Sequence, residues 1–126
     1  MLDRYLTRLA AGHLPIFSFH KVPAELDPLY PQDLDLATYS KTIEFIVEHF
    51  RVIPLPDAID AARRKVRLPD RAACITFDDG YPGWLERVVP VLEAHSAHAT
   101  FYITTGQLSG MPMWHERIHQ CVAAFS

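Results

Sequence analysis

The chain has 126 residues, 49% of them hydrophobic, and a formal net charge of −3. That composition gives one globular domain and excludes a disordered chain. Acids and bases are mixed along the sequence, which excludes a nucleic-acid-binding surface; the one basic stretch, "ARRKVR" at 62 to 67, reads as a solvated helix face.

Residues 2 to 11 are predicted as a short helix. "LPIFSFH", 14 to 20, is predicted as a strand: apolar, aromatic-rich and opened by Pro15. Pro23, Pro28 and Pro31 make 21 to 35 a loop. From Leu36 onward Tyr39, Ile43, Ile46, Val47 and Phe50 recur at the helical period. "RVIPL", 51 to 55, fits a short strand, and Pro56 and Asp57 open a helix to about Lys65. "AACITF", 72 to 77, is a clear strand. "PGWLERVVPVLEAH", 82 to 95, is a helix that Pro90 breaks or kinks. "ATFYI", 99 to 103, is a further strand. A loop with Gly106, Gly110 and Pro112 then leads to a final helix, "MWHERIHQCVAAF". No internal repeat or low-complexity linker is present.

Strands alternating with helices predict a parallel α/β arrangement, either a barrel or an open doubly wound sheet. Strands that are apolar throughout fit burial on both faces. Both arrangements place their active sites at the carboxyl ends of strands. In this chain three strand ends carry polar groups: His20, the pair Asp78 and Asp79, and Thr104 with Thr105. Cys74 reads as a small buried core residue, and with Cys121 as its sole companion there is no disulfide framework.

Asp78 and Asp79 follow "CITF" and precede Gly80. Adjacent strand residues point to opposite sides, so the two carboxylates are expected to hold separate roles. One would bind a metal ion and the other would act as general base, because a divalent cation relieves their repulsion and acidifies its water. Turn chemistry is the competing reading, since Asp before Gly is a common turn pair.

The stretch "ITFDDGY", with "SFHKV" upstream and "ATFYITTG" downstream, resembles the NodB-homology polysaccharide deacetylases, carbohydrate esterase family 4. The family's first motif, T-F-D-D-G, is matched by Thr76, Phe77, Asp78, Asp79 and Gly80, and the likeness runs from about His13 to Trp114. The resemblance implies a distorted TIM-like (β/α) barrel that removes N-acetyl groups from amino-sugar polysaccharides. It makes Asp78 the catalytic base and Asp79 a ligand of a divalent metal, usually zinc. His20 matches a histidine at the rim of the site. Tyr81, Trp84, Tyr102 and Trp114 are candidates for stacking on sugar rings, against core packing as the commoner fate of aromatics, and Trp114 and Tyr81 are the better placed because they follow loop residues on the expected active face. An N-acetylated glycan is the implied partner.

The same family has an H-[S/T]-x-x-H motif and later motifs that supply further metal ligands, an arginine and an acid. None of these can be placed here. A (β/α) barrel takes about 250 residues, so 1–126 is expected to be the first part of such a domain, stopping before the histidine motif and incomplete or inactive alone. Half a barrel leaves open sheet edges, which invites self-association. A non-catalytic deacetylase-like module, binding glycan or completing a partner chain, is the alternative.

Two histidine pairs invite a metal reading. His95 and His98, in "HSAH", fall at the amino end of a strand, away from the expected site. His115 and His119, in "HERIH", match the zinc-protease pattern H-E-x-x-H with Glu116 as base, a remote alternative that lacks a third ligand. No stretch approaches the ~18 apolar residues of a membrane span. The N-terminus carries Asp3, Arg4 and Arg8 where an export signal needs an unbroken apolar core, so the cytoplasm is the expected compartment, with export left open if an upstream segment exists.

Overall fold

The computed structural model describes residues 6, 12–26, 28, 30–31, 33–106 and 113–124, with the side chains of 115, 119, 120 and 123 left out. The predicted helix over 2 to 11 therefore lies almost wholly outside the described residues.

Strand β3, Ala72–Phe77, organises the fold, and all six of its residues are buried. Fully burying a side chain such as Ile75 or Phe77 is worth about 1.5–3 kcal/mol each, so a short strand carries much of the core. Strand β1, Ile16–Phe19, pairs with it in parallel, with Ser18 opposite Thr76 and Phe19 opposite Phe77. Its bonds reach the Cys74 and Asp78 amides from the carbonyls of Pro15 and Phe19. The opposite edge of β3 is shared. Strand β2, Arg51–Val52, pairs at the amino end, opposite Ala72 and Ala73. Strand β4, Thr100–Phe101, pairs at the carboxyl end, opposite Thr76 and Phe77. All three pairings are parallel, as alternating strands and helices require.

The strands expected over 14 to 20, 51 to 55 and 99 to 103 thus form over shorter stretches. Burial on both faces holds for β3 but not for β1, where Ile16 is 52% exposed and Ser18 is also exposed. Among the described residues β1 pairs on one edge only, and one of its faces has no covering layer.

Helix α1, Leu36–His49, begins where Asp35 caps it: the Asp35 carboxylate accepts the Thr38 amide at 2.8 Å. Hydrogen bonding from Thr38, its side chain first and then this amide, holds the Asp35 carboxyl below its ordinary value. Tyr39, Ile43 and Ile46 form its buried stripe, at the spacing the sequence shows. Helix α2, Leu55–Arg63, starts after Pro54, with Pro56 in its first turn.

The segment predicted as one helix kinked at Pro90 has two parts. A π-helical turn, Trp84–Val88, runs into α3, Val89–Ala94, whose first turn holds Pro90. Proline lacks the amide that an α-helical ladder would need inside the helix. The wider π turn puts Pro90 at the start of the α-helical part, where no such amide is required. Helix α4, Trp114–Ala123, is the last element.

An aromatic cluster lies beneath the carboxyl ends of the strands. Phe77 stacks on Phe19 and Phe101 with ring centroids 5.3 and 5.0 Å apart, and meets Tyr39 and Trp84 edge-on. Aromatic pairs in these geometries add about 0.5–1.5 kcal/mol beyond area burial. One ring from each of β1, β3 and β4 joins the cluster, which fixes the heights of the three strand ends relative to one another.

Candidate active site

The chain leaves β3 through Asp78, whose amide donates to the Phe19 carbonyl at 2.9 Å and so continues the parallel ladder by one residue. At Asp79 the backbone turns into the left-handed region, with φ +83°, followed by Gly80 at +81°. Glycine adopts that conformation without strain, and aspartate is among the few other residues that take it in turns, at a modest cost relative to glycine. Strand alternation therefore does not extend through Asp79, because the backbone has left the extended conformation there.

Asp78 is gripped from β1. Ser18 Oγ donates to Asp78 Oδ2 at 2.7 Å, and His20 Nε2 lies 4.0 Å from the same oxygen. Strand periodicity puts Ser18 and His20, two residues apart, on one face of the chain. The Asp78 side chain is 34% exposed and that of His20 57%, so the site is open to solvent and to a substrate.

The third strand end also converges, for the Thr104 amide donates to the Asp79 carbonyl at 3.4 Å and the Tyr102 amide to the Phe77 carbonyl at 2.7 Å. Tyr81 is half-buried beyond the turn, its ring 6.5 Å from that of Trp84. Burial foremost, and then the charges of Asp79, Glu116 and Asp33 and the neighbouring Tyr30, push its phenol up to about 12. Tyr81 is accordingly a neutral hydrogen-bonding phenol beside a negatively charged rim. Trp114 opens α4 and is 74% exposed.

The loop after β1 is held by groups that the sequence reading did not single out for this purpose. Trp84 Nε1 donates to the His20 carbonyl at 2.9 Å, and Arg87 Nε donates to the Val22 carbonyl at 3.0 Å. Both donors come from the π-helical turn. Ser18 has one sequence signal: it is the one hydroxyl inside an otherwise apolar predicted strand, two residues before His20.

The other predicted pairs divide. His95 follows α3 and His98 precedes β4, at the amino end of that strand and away from Asp78. The side chains of His115 and His119 lie outside the described residues, so the H-E-x-x-H reading rests on the sequence of α4 alone. Among the described residues no group of three His, Cys, Asp or Glu side chains could hold a metal ion. The carboxylates of Asp78 and Asp79 are acidic donors at this strand end, and among the described residues they do not make a complete metal centre.

A parallel sheet whose strand ends converge on a carboxylate pair defines an α/β protein with its candidate site at the carboxyl ends. Three solved deacetylase structures share this fold. A de-N-acetylase from Aggregatibacter actinomycetemcomitans matches with a TM-score of 0.68 and 22% identity, over 80% of this chain and 43% of that one. IcaB from Ammonifex degensii gives 0.65 and 20%, over 75% and 39%. The Streptococcus pyogenes deacetylase PplD, in complex with acetate, gives 0.63 and 17%, over 75% and 43%. The chain thus spans about two-fifths of the length of these proteins. Residues 65–123 match the model of the polysaccharide deacetylase family, a segment that includes Asp78 and Asp79, and the chain resembles a NodB-type deacetylase over this part of its fold. Comparison with curated proteins gives no match.

Proposed function

We propose that the chain is part of a polysaccharide deacetylase that hydrolyses N-acetyl groups on an amino-sugar glycan, with Asp78 as its general base. The observation that carries this reading is the Asp78–Asp79 pair at the end of β3: one carboxylate is gripped by β1 and its neighbour sits in a left-handed backbone conformation, inside the segment that matches the family. Asp79 is a metal ligand in this reading, with zinc the expected ion and the remaining ligands supplied from outside the described residues. A divalent metal supplies Lewis acidity toward the acetyl carbonyl.

The chain's own groups act on protons and position. Asp78 takes a proton from water as the water oxygen bonds to the acetyl carbon. The carbon–nitrogen bond then breaks, an acid returns a proton to the nitrogen, and acetate and a free amine leave. His20 and Tyr81 border the site and offer polar contacts to the sugar, and the exposed Trp114 offers a stacking face. The domain is proposed to be partial, with its histidine motif outside these residues. Acetate release from an N-acetylglucosamine oligosaccharide, measured with the protein as its gene encodes it, tests the reading. Release that a chelator abolishes and zinc restores supports it. Release that is unaffected by chelation contradicts the metal assignment.

A second reading, a module that pairs with another chain, is favoured by α4. Trp114, Ile118 and Val122 lie four residues apart on one face and are 74%, 53% and 52% exposed. Sedimentation should show association that Ile118→Glu weakens. A monomer at all concentrations would remove this reading.

A further inference from the structure

We propose that Ser18 is a positioning residue for Asp78, fixing the carboxylate so that Oδ2 is held by the protein and Oδ1 receives the proton. The inference rests on the reading of Asp78 as base and assigns a role to β1 that the paired-aspartate motif does not contain. Ser18 Oγ lies 2.7 Å from Oδ2, a well-formed hydroxyl-to-carboxylate hydrogen bond. His20 Nε2 approaches the same oxygen, at 4.0 Å. Among the described residues, both side-chain contacts of Asp78 fall on Oδ2.

The backbone is registered to bring this about. Ser18 pairs with Thr76, and the ladder runs on through the Asp78 amide to Phe19. Asp78 therefore extends from a fixed main chain, and its side chain is turned back along β1 onto the exposed hydroxyl of Ser18. Without that hydroxyl the partly exposed carboxylate is free to rotate about χ1 into solvent. Ser18 is not arranged as a nucleophile: its hydrogen goes to the carboxylate, and among the described residues it has no contact to a histidine nitrogen that would deprotonate it.

The test compares Ser18→Ala with Ser18→Thr, which keeps the hydroxyl and suits a strand. Three-bond couplings from NMR report the χ1 rotamer of Asp78 and need no turnover. One rotamer is expected in the wild type and in Ser18→Thr, and averaged couplings in Ser18→Ala. A single unchanged rotamer in Ser18→Ala overturns the proposal. In acetate release, Ser18→Ala should lower kcat about tenfold with KM unchanged, and Ser18→Thr should restore it. Equal losses in both variants, or a change confined to KM, also overturn it. Asp78→Asn separates this inference from the reading beneath it. If that variant retains full acetate release, the assignment of the base fails, while the rotamer measurement still decides whether Ser18 positions the carboxylate.

Discussion

The indole of Trp84 donates to the carbonyl of His20 at 2.9 Å, a bond that ties the π-helical turn after β3 to the rim of the candidate site. Trp84 is buried and its ring packs on Phe77 and Phe101. Trp84→Phe keeps much of that packing but loses the donor. The variant should be less stable by about 1–2 kcal/mol, measured by urea denaturation followed by circular dichroism. Unchanged stability would show that the bond contributes nothing to holding the loop.

Gly83 is required by its neighbour as well as by its backbone. Its φ is +87°, and a Cβ there would run into the Arg87 guanidinium, which is engaged with the carbonyls of Val22 and Pro82. Gly83→Ala must strain the turn or displace Arg87. A loss of about 1–3 kcal/mol is expected. Gly106→Ala, where an added Cβ meets nothing within 4 Å, should stay within about 0.5 kcal/mol. Equal effects from the two substitutions, read by denaturant titration, would contradict this.

Asp79 should show opposite effects on stability and on function. Its left-handed backbone carries a modest cost for aspartate and is natural for glycine. Asp79→Gly should therefore hold or raise the thermal midpoint while abolishing acetate release. A large fall in the midpoint would mean that the carboxylate serves the fold.

Alkaline stability should report the buried phenols. Burial raises the Tyr39 phenol above its ordinary value and pushes that of Tyr81 up to about 12. In the folded state both keep their protons while the unfolded chain loses them above about pH 10. Their contribution is complete below pH 10 and is lost as pH rises further, for Tyr81 across roughly 10 to 12. Tyr39→Phe should flatten the decline by up to about 1.4 kcal/mol per pH unit. Since the Tyr39 hydroxyl is buried and has no hydrogen-bond partner among the described residues, the same variant should be no less stable at neutral pH. An unchanged alkaline slope would contradict the assignment.

The parts of this architecture legible in the sequence were those set by periodicity and by apolar runs. The stripe of Tyr39, Ile43 and Ile46 and the wholly apolar "AACITF" announced α1 and β3, and the convergence of His20, Asp78, Asp79 and Thr104 followed from strand ends sharing one face. A turn was legible in the Asp79–Gly80 pair, but not that Asp79 itself would take the left-handed conformation, because a glycine beside it could have absorbed the whole reversal. The π turn before Pro90 was hidden too, since a proline in a helical pattern signals an interruption without saying what replaces the lost bond. Ser18 escaped because a lone serine in a strand does not announce its role until its cross-strand partner is known.

The assignment of Asp78 as base is tested most directly by the kinetics of Asp78→Asn. Acetate release from an N-acetylated oligosaccharide should be measured for the wild type and for this variant, with folding checked by circular dichroism. A folded variant whose kcat falls by about 10²–10⁴-fold, with KM little changed, is the predicted result. A folded variant that turns over at the wild-type rate would contradict the account.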